Sequence, residues 1–168
     1  GDCGWMGFHR LKIIDISDRG NQPLVYKNIH LICNGEIYNY PELRKKYENT
    51  YKFQSDSDCE VIIPMFLEKG IRQTALGLDA EFVFVLYDSL KKKYFAARDP
   101  VGIRPMFYGY TDGGEIMFAS ELKALHAICK DIKPFPPGHY YDGEKFHSYR
   151  DVSHVSNYHD DDIEEVFR

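Results

Sequence analysis

Asn34-Gly35-Glu36-Ile37-Tyr38-Asn39 sets a side-chain amide next to a glycine N–H, directly after a run of apolar residues. Two such donors converging on one point could stabilise an oxyanion, as amide-cleaving and acyl-transfer chemistry requires. The plainer use is an ordinary Asn-Gly turn with a solvated Glu36, and spacing alone favours that use. Arg98-Asp99-Pro100-Val101-Gly102-Ile103-Arg104-Pro105 is a second polar block. Its Arg98 and Asp99 could fasten a loop by a charge-assisted hydrogen bond, and Gly102 admits a backbone angle closed to other residues. Structure is a simpler role for it than catalysis. Arg10, alone in an apolar stretch, carries the forked guanidinium suited to a carboxylate, although a lone arginine more commonly serves a surface ion pair.

Other chemistry-bearing residues lead less far. His139, His147, His154 and His159 follow neither the helical i, i+4 pair nor a ribbon spacing, so no metal is expected. The acidic run Asp160-Asp161-Asp162-Ile163-Glu164-Glu165 reads as a solvated helix start or tail, since no glycine-containing ligand loop accompanies it. There is no Gly-x-Ser-x-Gly elbow, phosphate-cradling glycine loop or dinucleotide fingerprint.

The elements that must hold these groups come in clusters rather than in strict β-α alternation, which favours a layered α+β fold. Gly4 to Ile14 reads as a strand, and Ile29 to Cys33 as a short one running into an Asn34-Gly35 turn. Pro41 opens a helix with Leu43 and Tyr47 on one face. A second helix fits Asp58 to Lys69, capped by Ser57 or Asp58 and stopped by Gly70, with a stripe of Val61, Ile62, Met65 and Phe66. Glu81 to Tyr87 is almost continuously apolar, the pattern of a strand buried on both faces, and Lys93 to Arg98 returns beside it. Met106 to Tyr110 and Glu115 to Ala119 form a hairpin. Ser120 caps a short helix, and final strands fall near His139 to Tyr141 and Lys145 to Tyr149.

Composition bounds the class. The 168 residues include 21 Lys+Arg and 26 Asp+Glu, a formal net charge of −5, with 43% hydrophobic and 28% charged residues. Those values argue against disorder, and 13 Tyr with 11 Phe favour sheet. No basic patch marks a nucleic-acid partner. No apolar run approaches the roughly 20 residues that cross a bilayer, so no membrane partner is expected. Cys3, Cys33, Cys59 and Cys129 are widely spaced without a Cys-x-x-Cys pair, which suggests reduced thiols and a cytoplasmic location.

Taken in order, six blocks carry a family resemblance: Phe8-His9-Arg10-Leu11, Asn34 to Asn39, Ser57-Asp58-Cys59-Glu60-Val61-Ile62, Arg98 to Pro105, Ala119 to Leu125, and Pro136-Pro137-Gly138-His139-Tyr140. Together they resemble the N-terminal glutamine amidotransferase domain of glutamine-dependent asparagine synthetases, from about Met6 to about Tyr149. The Asn34 and Arg98 blocks are shared with other class II amidotransferases; the Ser120 and Gly138 blocks point more narrowly to asparagine synthetases.

The resemblance implies a four-layer αββα sandwich of the N-terminal-nucleophile hydrolase type, over residues 1–150, with 151–168 a linker or the start of a synthetase domain. It implies a glutaminase in which a cysteine thiolate attacks the glutamine side-chain amide, ammonia leaves, and water releases glutamate. In it Asn34 and Gly35 match the oxyanion hole, Arg10 the clamp on the α-carboxylate, and Glu36 with Asp58 the pair on the α-ammonium. Leu11, Lys12, Ile13 and Ile14 line the same strand. Glutamine is the implied ligand, and self-association is left open. ATP and Mg²⁺ would belong to a C-terminal synthetase domain, with no cofactor in this chain.

Members of the family open with Met-Cys-Gly and carry a His-Arg-Gly-Pro-Asp segment before the Arg10 strand, neither of which occurs here. The expectation is therefore a fragment without its nucleophile, inactive alone. Cys3 does not replace that nucleophile: on one strand it would lie about 23 Å from Arg10, at about 3.3 Å per residue. The rival readings are a catalytically dead binding or scaffold module, as in relatives resembling β-lactam synthetase, and a sister class II amidotransferase.

Overall fold

The computed structural model describes residues 5–10, 14, 15 and 17–152. Its centre is β3 (Ala80–Asp88), where Phe82, Phe84 and Leu86 are buried on one face and Val83 and Val85 on the other. Fully burying each such side chain contributes about 1.5–3 kcal/mol. The hydrophobic run thus becomes the shared floor of two cores. β2 (Ile29–Ile37) pairs antiparallel with β3 over its whole length, from Ile29 opposite Asp88 to Ile37 opposite Ala80. With β1 (Leu24–Tyr26), β4 (Lys93–Arg98), β8 (His139–Tyr141) and β9 (Phe146–Ser148) they form a sheet of order β1-β2-β3-β4-β8-β9. A second sheet has the order β6-β5-β7, from β5 (Phe107–Tyr110), β6 (Ile116–Ala119) and β7 (Lys130–Pro134).

One core lies between the larger sheet and the helices α1 (Tyr40–Tyr47) and α2 (Ile62–Gly77), where Tyr47, Ile62, Ile63 and Met65 meet Phe82, Phe84 and Leu86. The other lies between the sheets and joins Val83, Val85 and Ala96 to Met106 and Phe135. The layers run helices, sheet, sheet, with α3 (Lys123–His126) packed against β6 and β7. This is the α+β sandwich expected from the sequence.

Several elements depart from their expected bounds. Asn34-Gly35 is not a turn: β2 continues through both residues to Ile37 because β3 offers a matching partner at every position, and tertiary pairing outweighs the local turn preference. The segment from Asp58 opens as a 3-10 turn, Asp58–Val61, and Ser57 makes no side-chain cap. Gly70 breaks α2 at φ 73°, yet the helix resumes to Gly77. Ser120 does not cap α3, which starts after Leu122. Residues 5–10 form no strand, with Trp5 98% exposed. β1 and β7 were not foreseen: β1 is three residues long, and β7 is mostly exposed and carries Lys130, Asp131 and Lys133.

Among the described residues no helix is long and apolar enough to cross a membrane.

Candidate functional site

A cleft of about 870 Å³ borders both sheets, with Asn34, Glu36 and Val83 on one side and Met117, Phe118 and Leu125 on another. Strand alternation decides what β2 gives it. Leu31, Cys33 and Ile37 pack on the helical side, and Ile32 faces the second sheet. Asn34 and Glu36, in phase with Ile32, therefore stand on the cleft side.

The outer edge of β2 matters as much as its face. Gln22 acts there like a strand: its Oε1 accepts the Cys33 N–H at 2.6 Å and its Nε2 donates to the Cys33 carbonyl at 3.1 Å. Four residues on, Asp58 Oδ2 accepts the Ile37 N–H at 2.8 Å. Gly35 lies midway and turns its N–H to the same edge. Opposite it, Phe82 directs its N–H and carbonyl to Asp99, so Gly35 and Phe82 form a non-hydrogen-bonded pair. Such pairs approach closely, and a Cβ on Gly35 would come within 2.8 Å of Phe82 Cα. Glycine is thus required by the backbone of β3, whatever else it does.

Asp58 is buried at 5% exposure beside this edge. Its place is set by the preceding segment, which is organised around Glu60, 1% exposed. Glu60 accepts the Gln54 N–H and the Ser55 N–H, each at 2.8 Å, the Ser55 hydroxyl at 2.6 Å and the Tyr51 hydroxyl at 3.1 Å. Arg44 adds hydrogen bonds to the Ser55 and Ser57 carbonyls at 2.7 and 3.3 Å. A buried carboxylate with all these donors is satisfied, and the chain emerges from it with Asp58 aimed at Ile37.

Cys33 and Cys59 also line the cleft, and both are free and buried. The adjacent Cys33 thiol, together with burial, pushes the Cys59 thiol well above its ordinary value. Cys59 is held protonated, the opposite of an activated nucleophile.

Arg10 reaches the cleft beside Gln22, and its guanidinium is wrapped by a loop that the Asp56 N–H ties to the Asp58 segment through Asp15 Oδ2. Nη1 donates to the Ser17 carbonyl at 2.7 Å and to Asn21 Oδ1 at 3.1 Å; Nη2 donates to the carbonyls of Ile14, at 3.1 Å, and Asp15. Gly20 leaves the room, since a Cβ there would fall 2.9 Å from Arg10 Cζ. Ile14 lines the cleft. Leu11, Lys12 and Ile13, like Cys3, lie outside the described residues.

The Arg98 block closes a loop against both sheets. Asp99, 1% exposed, accepts the N–H groups of Val101, Gly102 and Ile103 on Oδ1 and those of Phe82 and Arg104 on Oδ2. Arg98 donates to the carbonyls of Arg104, Phe135 and Gly102 at 2.7–2.8 Å. The loop is thereby fixed, and Arg104 projects from it to pair with Glu81. His147 pairs with Asp142 in the β8–β9 hairpin, and among the described residues no His/Cys/Asp/Glu group could hold a metal.

The model of the glutamine amidotransferase domain matches residues 2–135. The chain belongs to this family. The amidotransferase domain is 48% identical over 139 residues to a probable glutamine-hydrolysing asparagine synthetase of Schizosaccharomyces pombe, covering 80% of this chain and 25% of that protein. It is 44% identical over 141 residues to asparagine synthetase B of Escherichia coli, covering 83% and 25%, and 44% identical over 138 residues to a probable asparagine synthetase of Acanthamoeba polyphaga mimivirus, covering 81% and 25%. The chain spans about a quarter of the length of these relatives. Among solved structures, glutamine phosphoribosylpyrophosphate amidotransferase of B. subtilis superposes with a TM-score of 0.65 at 23% identity, over 77% of this chain and 32% of that one. A structure described as the allosteric regulatory enzyme of purine biosynthesis gives 0.66 at 23% identity, over 79% and 32%. At that identity the likeness concerns the fold of the amidotransferase domain.

Of the residues named from the sequence, Arg10, Ile14, Asn34, Gly35, Glu36 and Asp58 all line one cleft. Sequence reading did not find Gln22, which edges β2, or Glu81 as the partner of Arg104. A side chain standing in for a strand leaves no periodic trace, whereas Glu81 could have been suspected as a charge opening an apolar strand.

Proposed function

We propose that the cleft binds glutamine and that the domain is the glutamine-hydrolysing part of an asparagine synthetase. The observation that carries the reading is the N–H of Gly35, turned to the edge of β2 between Gln22 and Asp58 with Asn34 beside it. In this reading Asn34 and Gly35 donate to the oxyanion that forms at the side-chain amide, where one such donor is worth about 10²–10³ in rate. Glu36 and Asp58 take the α-ammonium. Arg10 meets the α-carboxylate by exchanging one of its loop carbonyls for the ligand, and residues 11–14 line the same side. Holding both ends of the amino acid orients its amide for attack by a cysteine thiolate. Cys59, held protonated beside the cleft, does not supply it, so these residues bind and polarise the amide while the attacking group is not among them.

Ammonia released here would serve the ATP- and Mg²⁺-dependent amidation of aspartate by a synthetase part beyond this chain. The free thiols of Cys33, Cys59 and Cys129 favour a cytoplasmic setting. Calorimetric titration of the 168-residue chain with L-glutamine, D-glutamine and L-aspartate tests the reading. L-glutamine is expected to bind, and Asp58→Asn to weaken it about tenfold or more. Equal binding of all three, or none, would refute it.

A further inference from the structure

Two arginines reach the cleft, and they differ in what their guanidinium groups still have to give. Both Nη atoms of Arg10 are taken up by Ile14, Asp15, Ser17 and Asn21. Arg104 commits one Nη to Glu81; among the described residues its other Nη has no hydrogen bond, and the side chain is 36% exposed on the cleft. Buried donors without acceptors are uncommon and costly. The Nε of Arg104 is itself buried and unpaired, so what this cation can offer a ligand in the cleft is the exposed end of its guanidinium.

Position adds to availability. Glu81 is the cross-strand partner of Glu36, so the two carboxylates share one face of the sheet at the end of β2 and β3. Arg104 neutralises Glu81, relieving the repulsion between them and leaving Glu36 as the carboxylate that looks onto the cleft. The main chain of Arg104 is fastened from both sides: its N–H goes to Asp99 Oδ2 at 3.3 Å, and its carbonyl receives Arg98 Nε at 2.8 Å. A cation with a fixed main chain and an uncommitted Nη is therefore paired to Glu81, the strand-neighbour of Glu36. An α-amino acid carries its ammonium and carboxylate on a single carbon, and needs that pairing of charges.

We propose that Arg104 is a substrate-binding residue, the second cation of the amino-acid end of the cleft, contacting the α-carboxylate of the ligand whose α-ammonium sits at Glu36. The proposal rests on the glutamine reading above and adds a residue to it. Arg10 approaches the same carboxylate from the loop side, and Arg104 from the side of β3.

The test pairs a change in the protein with a change in the ligand. The chain is titrated with L-glutamine and with 4-aminobutanamide, which lacks only the α-carboxylate. The ratio of the two affinities is compared between the unmodified chain and Arg104→Gln. Loss of a charge-assisted contact should shrink that ratio about tenfold or more, while Lys133→Gln, which removes an exposed cation of β7 outside the cleft, should preserve it. Arg104→Lys keeps the charge without the fork and should lose part of the ratio, so it serves if Arg104→Gln does not fold. If Arg104→Gln weakens both ligands equally, the contact does not exist; if Arg104→Lys keeps the full ratio, the carboxylate is met by charge alone and the forked contact is refuted. If the unmodified chain binds both ligands alike, this proposal fails while glutamine binding stands. If it binds neither, the glutamine reading itself has failed, and this proposal with it.

Discussion

Asp58 Oδ2 holds the N–H of Ile37 at 2.8 Å, two residues along β2 from Gly35. A charged group of the cleft is thereby registered to the strand that supplies its backbone donor. The two roles of Asp58, charge and hydrogen-bond acceptor, can be separated. Asp58→Asn keeps an acceptor for Ile37 and should cost little stability while weakening glutamine binding. Asp58→Ala leaves a buried N–H unmet and should also destabilise the fold by about 1–3 kcal/mol. Urea unfolding beside ligand titration distinguishes the two.

Gly35→Ala puts a methyl group against the backbone of β3, 2.8 Å from Phe82 Cα. Neither strand of a paired ladder yields readily, so a loss of about 1–3 kcal/mol is expected, read as a lower denaturation midpoint. A wild-type midpoint would show that the strands do not approach as described.

Asp99→Asn removes the charge that gathers the N–H groups of Val101, Gly102, Ile103, Arg104 and Phe82. Hydrogen bonds to a charged group contribute about 1.5–3 kcal/mol each, and the amide retains only part of this. Lower stability and faster amide exchange at residues 101–104 are expected. Unchanged exchange would mean that the loop is held by Arg98 alone.

Acid should act through Asp88 in the β3–β4 turn. Burial pushes its carboxyl up, but the Lys91 N–H, the Asn28 amide and the Leu90 N–H together bring it below the ordinary 3.8. A carboxyl lowered on folding stabilises the protein above its unfolded value and loses that effect as pH falls through the folded one. Asn28→Ala, which removes the 2.6 Å hydrogen bond to Asp88 Oδ1, should cost about 1.5–3 kcal/mol at neutral pH. The gap from the parent chain should narrow below about pH 4. A gap that stays constant into acid would assign the loss to packing.

The sequence made the sandwich legible where burial is dense. Glu81 to Tyr87 and Lys93 to Arg98 show their strands because Phe82 to Leu86 are apolar on both faces, and the helix from Pro41 shows itself through Leu43 and Tyr47. Asn34-Gly35 misled because a local turn signal carries no information about the partner strand that overrides it. β7 stayed hidden because Lys130, Asp131 and Lys133 are surface residues recruited to a strand by β5 alone. Within the site, the motif residues were visible as motifs. The geometry that relates them was not, since Gln22 and Glu81 act through contacts across the fold rather than through spacing along the chain.

The edge of β2 has one more consequence. Exposed strand edges invite a neighbouring chain to add itself and start an aggregate. Here the outward positions of Cys33 and Ile37 are already occupied by the side chains of Gln22 and Asp58. An intruding strand would find only the Gly35 amide between them, a single rung too short to nucleate a ladder. The same two side chains that frame a place for one small amide thus make this stretch a poor template for self-assembly.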